Sequence, residues 1–320
     1  AKIVGVKQHH NGDIASLTTE TDDTIEADFF VDCTGFIGYL IQKTLGVPFV
    51  SFSDNLFNDS AVAIPSSIDN DMPSETVSTA MRNGWAWKIP LQSRYGNGYV
   101  YSSNYCSGDE AETELRELMG ALDADVEARH IKMKVGRLKS NWSNNCVAIG
   151  LSQGFIEPLE ATALQFIQTS IQGFMDAWET GSFTNQHRDN YNANIVRNFE
   201  GIRDYIVLHY ITNSRTDTQY WKDNHGNRNT SDSLGAMIKC WMEGGDIAAE
   251  IESQGIARYY KSISWHSIFA GMGIFPEPER LRAGTVADNQ VDFEKLEDFL
   301  TRSALNFDPQ SQFLANQNQA

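Results

Sequence analysis

The sequence predicts an α/β chain (α+β in arrangement), strand-rich in its first half and mostly helical beyond about residue 182. Three observations carry that reading. Strand-like runs fill 2–9, 14–19 and 25–33, with Asn11-Gly12-Asp13 and Thr21-Asp22-Asp23 as turn residues between them. An apolar run at 146–149 feeds a glycine loop and then a long helical pattern. Over 187–212 the apolar residues Ile195, Val196, Phe199, Ile202, Tyr205, Ile206, Leu208 and Tyr210 recur at helical spacing. A length of 320 residues suits one large or two ordinary domains. We divide the chain into 1–181, which holds the strands, and a helical 182–320.

Composition removes several classes. Hydrophobic residues are 41% and charged residues 21%, enough to build a core and too apolar for disorder. Lys and Arg total 25 against 42 Asp and Glu, a net charge of −17, which argues against nucleic acid and for solubility. No apolar run approaches the roughly 18 residues of a membrane span. The opening AKIVGVKQHH shows no signal peptide, and a start in a strand without Met reads as a piece of something longer. Cysteines at 33, 106, 146 and 240 form no CxxC pair, which predicts reduced thiols in a cytoplasmic protein.

Element by element, the third run, Asp28 to Cys33, is too apolar for a one-faced surface strand and enters Thr34-Gly35-Phe36-Ile37-Gly38. A buried strand ending in such a turn either lines a ligand crevice or is ordinary core. Residues 46–76 read as irregular. At 84–105, Trp85, Trp87, Ile89 and Leu91 alternate with Ala86, Lys88 and Pro90 as in a half-buried strand. Arg94 to Gly98 is read as the turn, and Tyr99-Val100-Tyr101 as the returning strand. The tryptophans suit the core as well as a cofactor. A helix is expected at 109–121 with Leu115, Leu118 and Met119 inward.

The segment 141–181 is the most informative. Cys146-Val147-Ala148-Ile149 ends at Gly150, and Pro158 is placed to open a helix that Gly181 closes. Its apolar stripe is Leu164, Ile167, Ile171, Phe174 or Met175, and Trp178. Glu160, Ala161, Thr162 and Ala163 then stand at the helix N-terminus, where free amides and the dipole suit an anion. A merely well-capped helix fits the same residues. Further helices are expected at 231–243, 259–272 and 291–304, and the tail from 303 as polar and mobile. His209, His225 and His266 share no metal-ligand spacing, so no metal is expected and each reads as structural.

GWAWKIP at 84–90, VDCTGF at 31–36 and CVAIGLSQGFIEPLEATAL at 146–164 together resemble the flavin-dependent halogenases of the tryptophan-halogenase family. RDYIVLHY at 203–210 and SIFAGMGIFP at 267–276 continue the likeness over nearly the whole chain. The resemblance implies an FAD-binding domain of glutathione-reductase-like fold, here incomplete, plus a mostly helical substrate domain. It implies that reduced FAD, dioxygen and a halide ion yield hypohalous acid, which reaches an aromatic substrate such as an indole through a tunnel. A separate flavin reductase would supply the reduced flavin.

By that resemblance Glu160 is the catalytic glutamate, and the Thr162 and Ala163 amides hold the halide. Gly35, Gly150, Leu151 and Leu164 would meet the flavin, Tyr259 and Tyr260 the substrate ring, and Trp85, Trp87, Ile89 and Pro90 form the family signature. Ala163 replaces the family's usual glycine, adding a methyl beside the halide. Two departures stand out. No GxGxxG loop and no lysine in the family's catalytic context is present, so the chain resembles only the C-terminal part and should bind FAD poorly and be inactive alone. The segment 243–259 is shorter than in tryptophan-specific members, which argues for a neutral indole over free tryptophan. An aromatic monooxygenase, or an inactive fragment that needs a partner half, are the rival readings. The halide, the substrate and any homo-oligomer are left open by the sequence.

Overall fold

β1 (Ile3–Gln8) pairs antiparallel with β2 (Ile14–Thr19), and β2 with β3 (Thr24–Glu26), much as the turn residues predict. The run expected as one strand over 25–33 is two. β3 is exposed at all its positions, whereas β4 (Phe30–Asp32) buries Phe30 and Asp32, so the two halves join different sheets. The computed structural model describes residues 1–68, 72–281 and 292–317. Within them the chain forms two compact units, one of 1–59, 132–240 and 246–274, the other of 60–131, 241–245 and 275–320. The units therefore do not divide at residue 181.

The stretch 46–76 is not simply irregular. It holds β5 (Phe49–Ser51) and β6 (Ser60–Ser66). The second unit then adds β7 (Val77–Ala80), β8 (Gly84–Pro90), β9 (Tyr95–Tyr101), α1 (Gly108–Met119) and β10 (Arg129–Lys132). Its sheet has the order β10-β6-β9-β8-β7. The β8–β9 turn closes at Leu91–Arg94, earlier than predicted, and Gly96 and Gly98 lie inside β9. The reason is steric. The Trp87 ring lies over its cross-strand partner Gly98, where a Cβ would stand 2.1 Å from a ring carbon. Helix α1 opens on a capping box between Ser107 and Glu110 and closes at left-handed Gly120. It buries Ala111 and Leu115, while Leu118, expected inward, is 50% exposed.

The first unit continues with β11 (Gly136–Leu138), β12 (Trp142–Ser143), β13 (Cys146–Ala148) and β14 (Gly154–Phe155). β13 runs parallel to β4, with Val147 opposite Val31, and antiparallel to β12. Ile14, Leu17, Phe30, Ile41, Leu138 and Cys146 pack into one core beneath these strands.

The helices are α2 (Ala163–Thr180), α3 (Arg188–Ile211), α4 (Gln219–Gly226), α5 (Asp232–Met242), α6 (Ile247–Gln254), α7 (Ser262–Gly271), α8 (Phe293–Ala304) and α9 (Gln310–Gln317). α3, α5, α7 and α8 answer the sequence expectation, save that residue 291 lies outside the described residues. The polar tail carries α9, which no helical signal in the sequence announced. α2 does not open at Pro158: the Ala161 amide donates to the Pro158 carbonyl, and Ala161 turns left-handed at φ 51°, which delays the helix to Ala163. Its buried face is Phe166, Ser170 and Phe174, so the predicted stripe holds at Phe174 and fails at Leu164 and Ile171, which are exposed, as is Met175. Among the described residues no helix is long and apolar enough to cross a membrane.

Candidate active site

The parallel strands β4 and β13 end side by side, and a buried carboxylate organises the loops beyond them. Asp32 is fully buried. Its Oδ1 accepts from the amide (2.9 Å) and hydroxyl (2.6 Å) of Thr34, and its Oδ2 from the amides of Leu40 (2.9 Å) and Ile41 (2.8 Å). Four donors replace the water that an ionised group loses on burial. The Asp32 carbonyl accepts from the Ile149 amide at 3.0 Å and from the Ser152 hydroxyl, which ties the two strand ends together. Two left-handed glycines cap those ends, Gly35 at φ 72° and Gly150 at φ 73°. A Cβ on Gly35 would meet nothing within 4 Å, and one on Gly150 only Ile167 at 3.9 Å. Open space at the carboxyl ends of parallel strands is where α/β sheets take ligands.

A cavity of about 80 Å³ adjoins the second loop. Its wall is mainly apolar, from Phe155, Ile156, Phe166, Ile167, Phe199, Ile202 and Ile206. Gly150, Leu151, Gln153, Gly154, Glu157, Pro158, Glu160, Thr162, Ala163 and Tyr260 complete it. Few polar groups converging on an apolar hollow is the usual composition of a small-molecule site.

The loop between β14 and α2 carries the polar groups, and α3 holds it. Glu157 is 2% exposed, and its Oε2 accepts from Asn58 Nδ2 (2.8 Å) and from the Tyr210 hydroxyl (2.7 Å). Tyr220 donates to Asn58 Oδ1 at 2.9 Å, so the network is buried throughout. Burial and the nearby Glu157 charge push the Tyr210 phenol far up, so it stays a donor. Glu160 is different. Its side chain is 35% exposed, and Oε1 lies 2.8 Å from His209 Nε2. Thr162 donates to the Glu160 carbonyl (3.2 Å), so the Tyr260 hydroxyl, 2.5 Å away, donates to Thr162 Oγ1. Tyr260 in turn stacks on Tyr205, ring centroids 3.7 Å apart. Burial, then the Glu160 charge, pushes the Tyr205 phenol up to about 12.

Thr162 also occupies the N-cap of α2, with its side chain making no cap bond. The first-turn amides of α2 thus receive no side-chain acceptor from their N-cap, and a helix supplies none of its own there. That makes the Thr162–Ala163 corner of the cavity a place where an anion gains donors and a favourable dipole.

The chain has known counterparts. The family model described as tryptophan halogenase matches residues 1–288. The chain belongs to the tryptophan halogenase family. Tryptophan 6-halogenase SttH from Streptomyces toxytricini is 42% identical over 286 residues, covering 87% of this chain and 54% of that protein. 7-chloro-L-tryptophan 6-halogenase KtzR from Kutzneria sp. (strain 744) is 45% identical over 243 residues, covering 75% and 47%. The crystal structure of SttH superposes with a TM-score of 0.89 at 38% identity, over 98% of this chain and 62% of that one. BrvH, a flavin-dependent halogenase from Brevundimonas sp. BAL3, gives 0.78 at 34% identity, over 99% and 64%. The chain spans about half the length of the curated relatives it matches.

Within this chain the structure brings together Glu160, Thr162, Ala163, Gly150, Leu151 and Tyr260 around one cavity. Leu164 is 75% exposed and, like Gly35 and Tyr259, is not among the lining residues. The Tyr259 hydroxyl instead meets Thr169 Oγ1 at 2.5 Å, and its ring edge meets Phe166. Trp85, Trp87, Ile89 and Pro90 belong to β8 of the second unit, where Trp85 is buried and Trp87 covers Gly98. Among the described residues no cluster of His, Cys, Asp and Glu could hold a metal. Sequence reasoning misses the pairing of His209, which it treats as structural, and the Glu157–Tyr210–Asn58 network. Tyr205 and His209 are four apart on α3 and share a face, but that spacing points to neither Glu160 nor Glu157.

Proposed function

We propose that this protein is a flavin-dependent halogenase that uses reduced FAD, dioxygen and chloride, bromide or iodide to halogenate an electron-rich aromatic such as an indole. The observation that carries the reading is the convergence of Glu160, Thr162 and Ala163 on one apolar cavity beside the Gly150-Leu151 loop. The open space over Gly35 and Gly150 fits a flavin, whose ring and phosphates need backbone to approach closely. When bound, reduced FAD supplies the oxygen chemistry that makes the halide electrophilic. Gly35, Gly150 and Leu151 would hold it, with Leu164 exposed at the start of α2 for a further contact.

The chain's own residues do the rest. The Thr162 and Ala163 amides retain the halide. Ile156, Phe166, Phe199 and Ile202 exclude the water that would consume an electrophilic halogen. The Glu160 carboxylate orients that species toward the ring and accepts the proton the ring carbon releases on substitution. A separate flavin reductase is the partner this scheme requires.

A neutral aromatic is the substrate. Among the described residues, the titratable side chains lining the cavity are Glu157, Glu160 and Tyr260, so no cation there awaits an amino acid's carboxylate. Burying that charge unpaired would cost several kcal/mol, more than stacking on Tyr260 returns. The test is competition between indole and tryptophan in the full-length protein, with bromide, reduced flavin and a partner reductase. Bromoindole should dominate the products by mass spectrometry. Faster bromination of tryptophan would overturn the substrate assignment, and hydroxylated products would overturn the halogenase reading in favour of a monooxygenase.

A further inference from the structure

We infer that His209 is a positioning residue for Glu160, held as a doubly protonated imidazolium paired with the Glu160 carboxylate at neutral pH. The catalytic meaning of the inference rests on the halogenase reading, but the pairing itself does not. His209 Nδ1 lies 2.9 Å from the Tyr205 carbonyl oxygen, and Nε2 lies 2.8 Å from Glu160 Oε1. A carbonyl only accepts, so Nδ1 carries a hydrogen. A neutral ring would then turn the bare lone pair of Nε2 toward a carboxylate lone pair, which repels. Both contacts are made only when the pair holds one extra proton. Carboxyl groups are the stronger acids, so that proton resides on the ring.

The surroundings confine the exchange to these two groups. Among the described residues, Tyr205 from α3 and Tyr260 from the segment before α7 are the titratable side chains that burial and the Glu160 charge raise. Burial pushes both phenols up, Tyr205 to about 12 and Tyr260 higher, so neither titrates near neutrality. Glu160 is 35% exposed and His209 13%, which leaves water access through the carboxylate.

α3 also grips the other end of the same turn. Tyr205, whose carbonyl holds His209, stacks on Tyr260, which donates to Thr162. Glu160 and Thr162 flank left-handed Ala161, so one helix fixes both the carboxylate and the proposed halide corner. His209 thus keeps Glu160 ionised and aimed while the turn is pinned on its far side.

Two measurements test this. Nitrogen-15 NMR of histidine-labelled chain at pH 7 reads the ring directly, with the His209 signal assigned by its loss in His209→Gln. Both ring nitrogens should be protonated, and Glu160→Gln, whose amide can donate to a neutral ring, should return Nε2 to the bare form. A bare Nε2 in the unsubstituted chain overturns the inference. Should His209→Gln fail to fold, the Glu160→Gln perturbation supplies the assignment. In the full-length enzyme, His209→Gln keeps a donor toward Glu160 but no charge. Turnover should fall about tenfold with KM for the aromatic changed less than about twofold, the pattern of a lost transition-state contribution. Unchanged turnover would reject the role in catalysis. A bare Nε2 in an active halogenase sinks this inference alone, whereas a protonated pair in a protein that halogenates nothing sinks the proposed function alone.

Discussion

Glu157 and Glu160 sit on one loop, both line one cavity, and they have opposite environments. Glu157 is buried with donors from Asn58 and Tyr210 on its Oε2, whereas Glu160 keeps a third of its surface in water and meets a histidine. A carboxylate held by fixed donors in the interior is locked into one rotamer, which suits building. A carboxylate that reaches both water and an imidazole can gain and lose a proton, which suits chemistry. Sequence spacing assigns neither role.

The comparison can be broken by exchanging what each carboxylate loses. Glu157→Ala removes the acceptor of the Tyr210 hydroxyl and one of the two acceptors of the Asn58 amide, and should lower the unfolding free energy by about 3 kcal/mol, read by urea denaturation. A loss under about 0.5 kcal/mol would mean the network contributes little. Glu160→Gln preserves shape and should leave that denaturation midpoint nearly unchanged, while turnover of the full-length enzyme drops about tenfold or more. Unaltered turnover at saturating halide and reduced flavin would reduce Glu160 to a loop residue. Smaller again is Thr162→Pro, which removes one amide and should weaken halogenation and bromide binding more than flavin binding. A bromide-soaked crystal of the complete, flavin-loaded enzyme should show the ion within hydrogen-bonding reach of the Thr162 and Ala163 amides, and an empty corner there would contradict the halide assignment.

Local signals explain most of what was legible. The turn residues around 11 and 22 delimit β1 and β2, the spacing of Phe199, Ile202 and Ile206 gives α3, and the Ser107–Glu110 box gives the start of α1. The misreadings have a common source. Gly96 and Gly98 look like turn residues, but a tryptophan from the next strand requires Gly98 to be bare. Pro158 looks like the first residue of a helix, but the left-handed Ala161 intervenes. Glu160, Thr162, Ala163 and Leu151 line one cavity, and they stood out together because they lie close in sequence within one family-like motif. Their supports did not, since Asn58 reaches Glu157 across 99 residues and His209 reaches Glu160 across 49. Such partners leave no periodic trace.

The backbone at Ala161 carries a cost of its own. A left-handed alanine lies about 1–2 kcal/mol above the ordinary backbone region, and here it separates Glu160 from Thr162. Glycine at 161 would relieve that cost while giving both neighbours more freedom, so the gain in folding would come with looser aim. Stability and activity therefore pull against each other at this position. An engineer screening for thermal tolerance would be drawn to Ala161→Gly, and one screening for turnover would discard it.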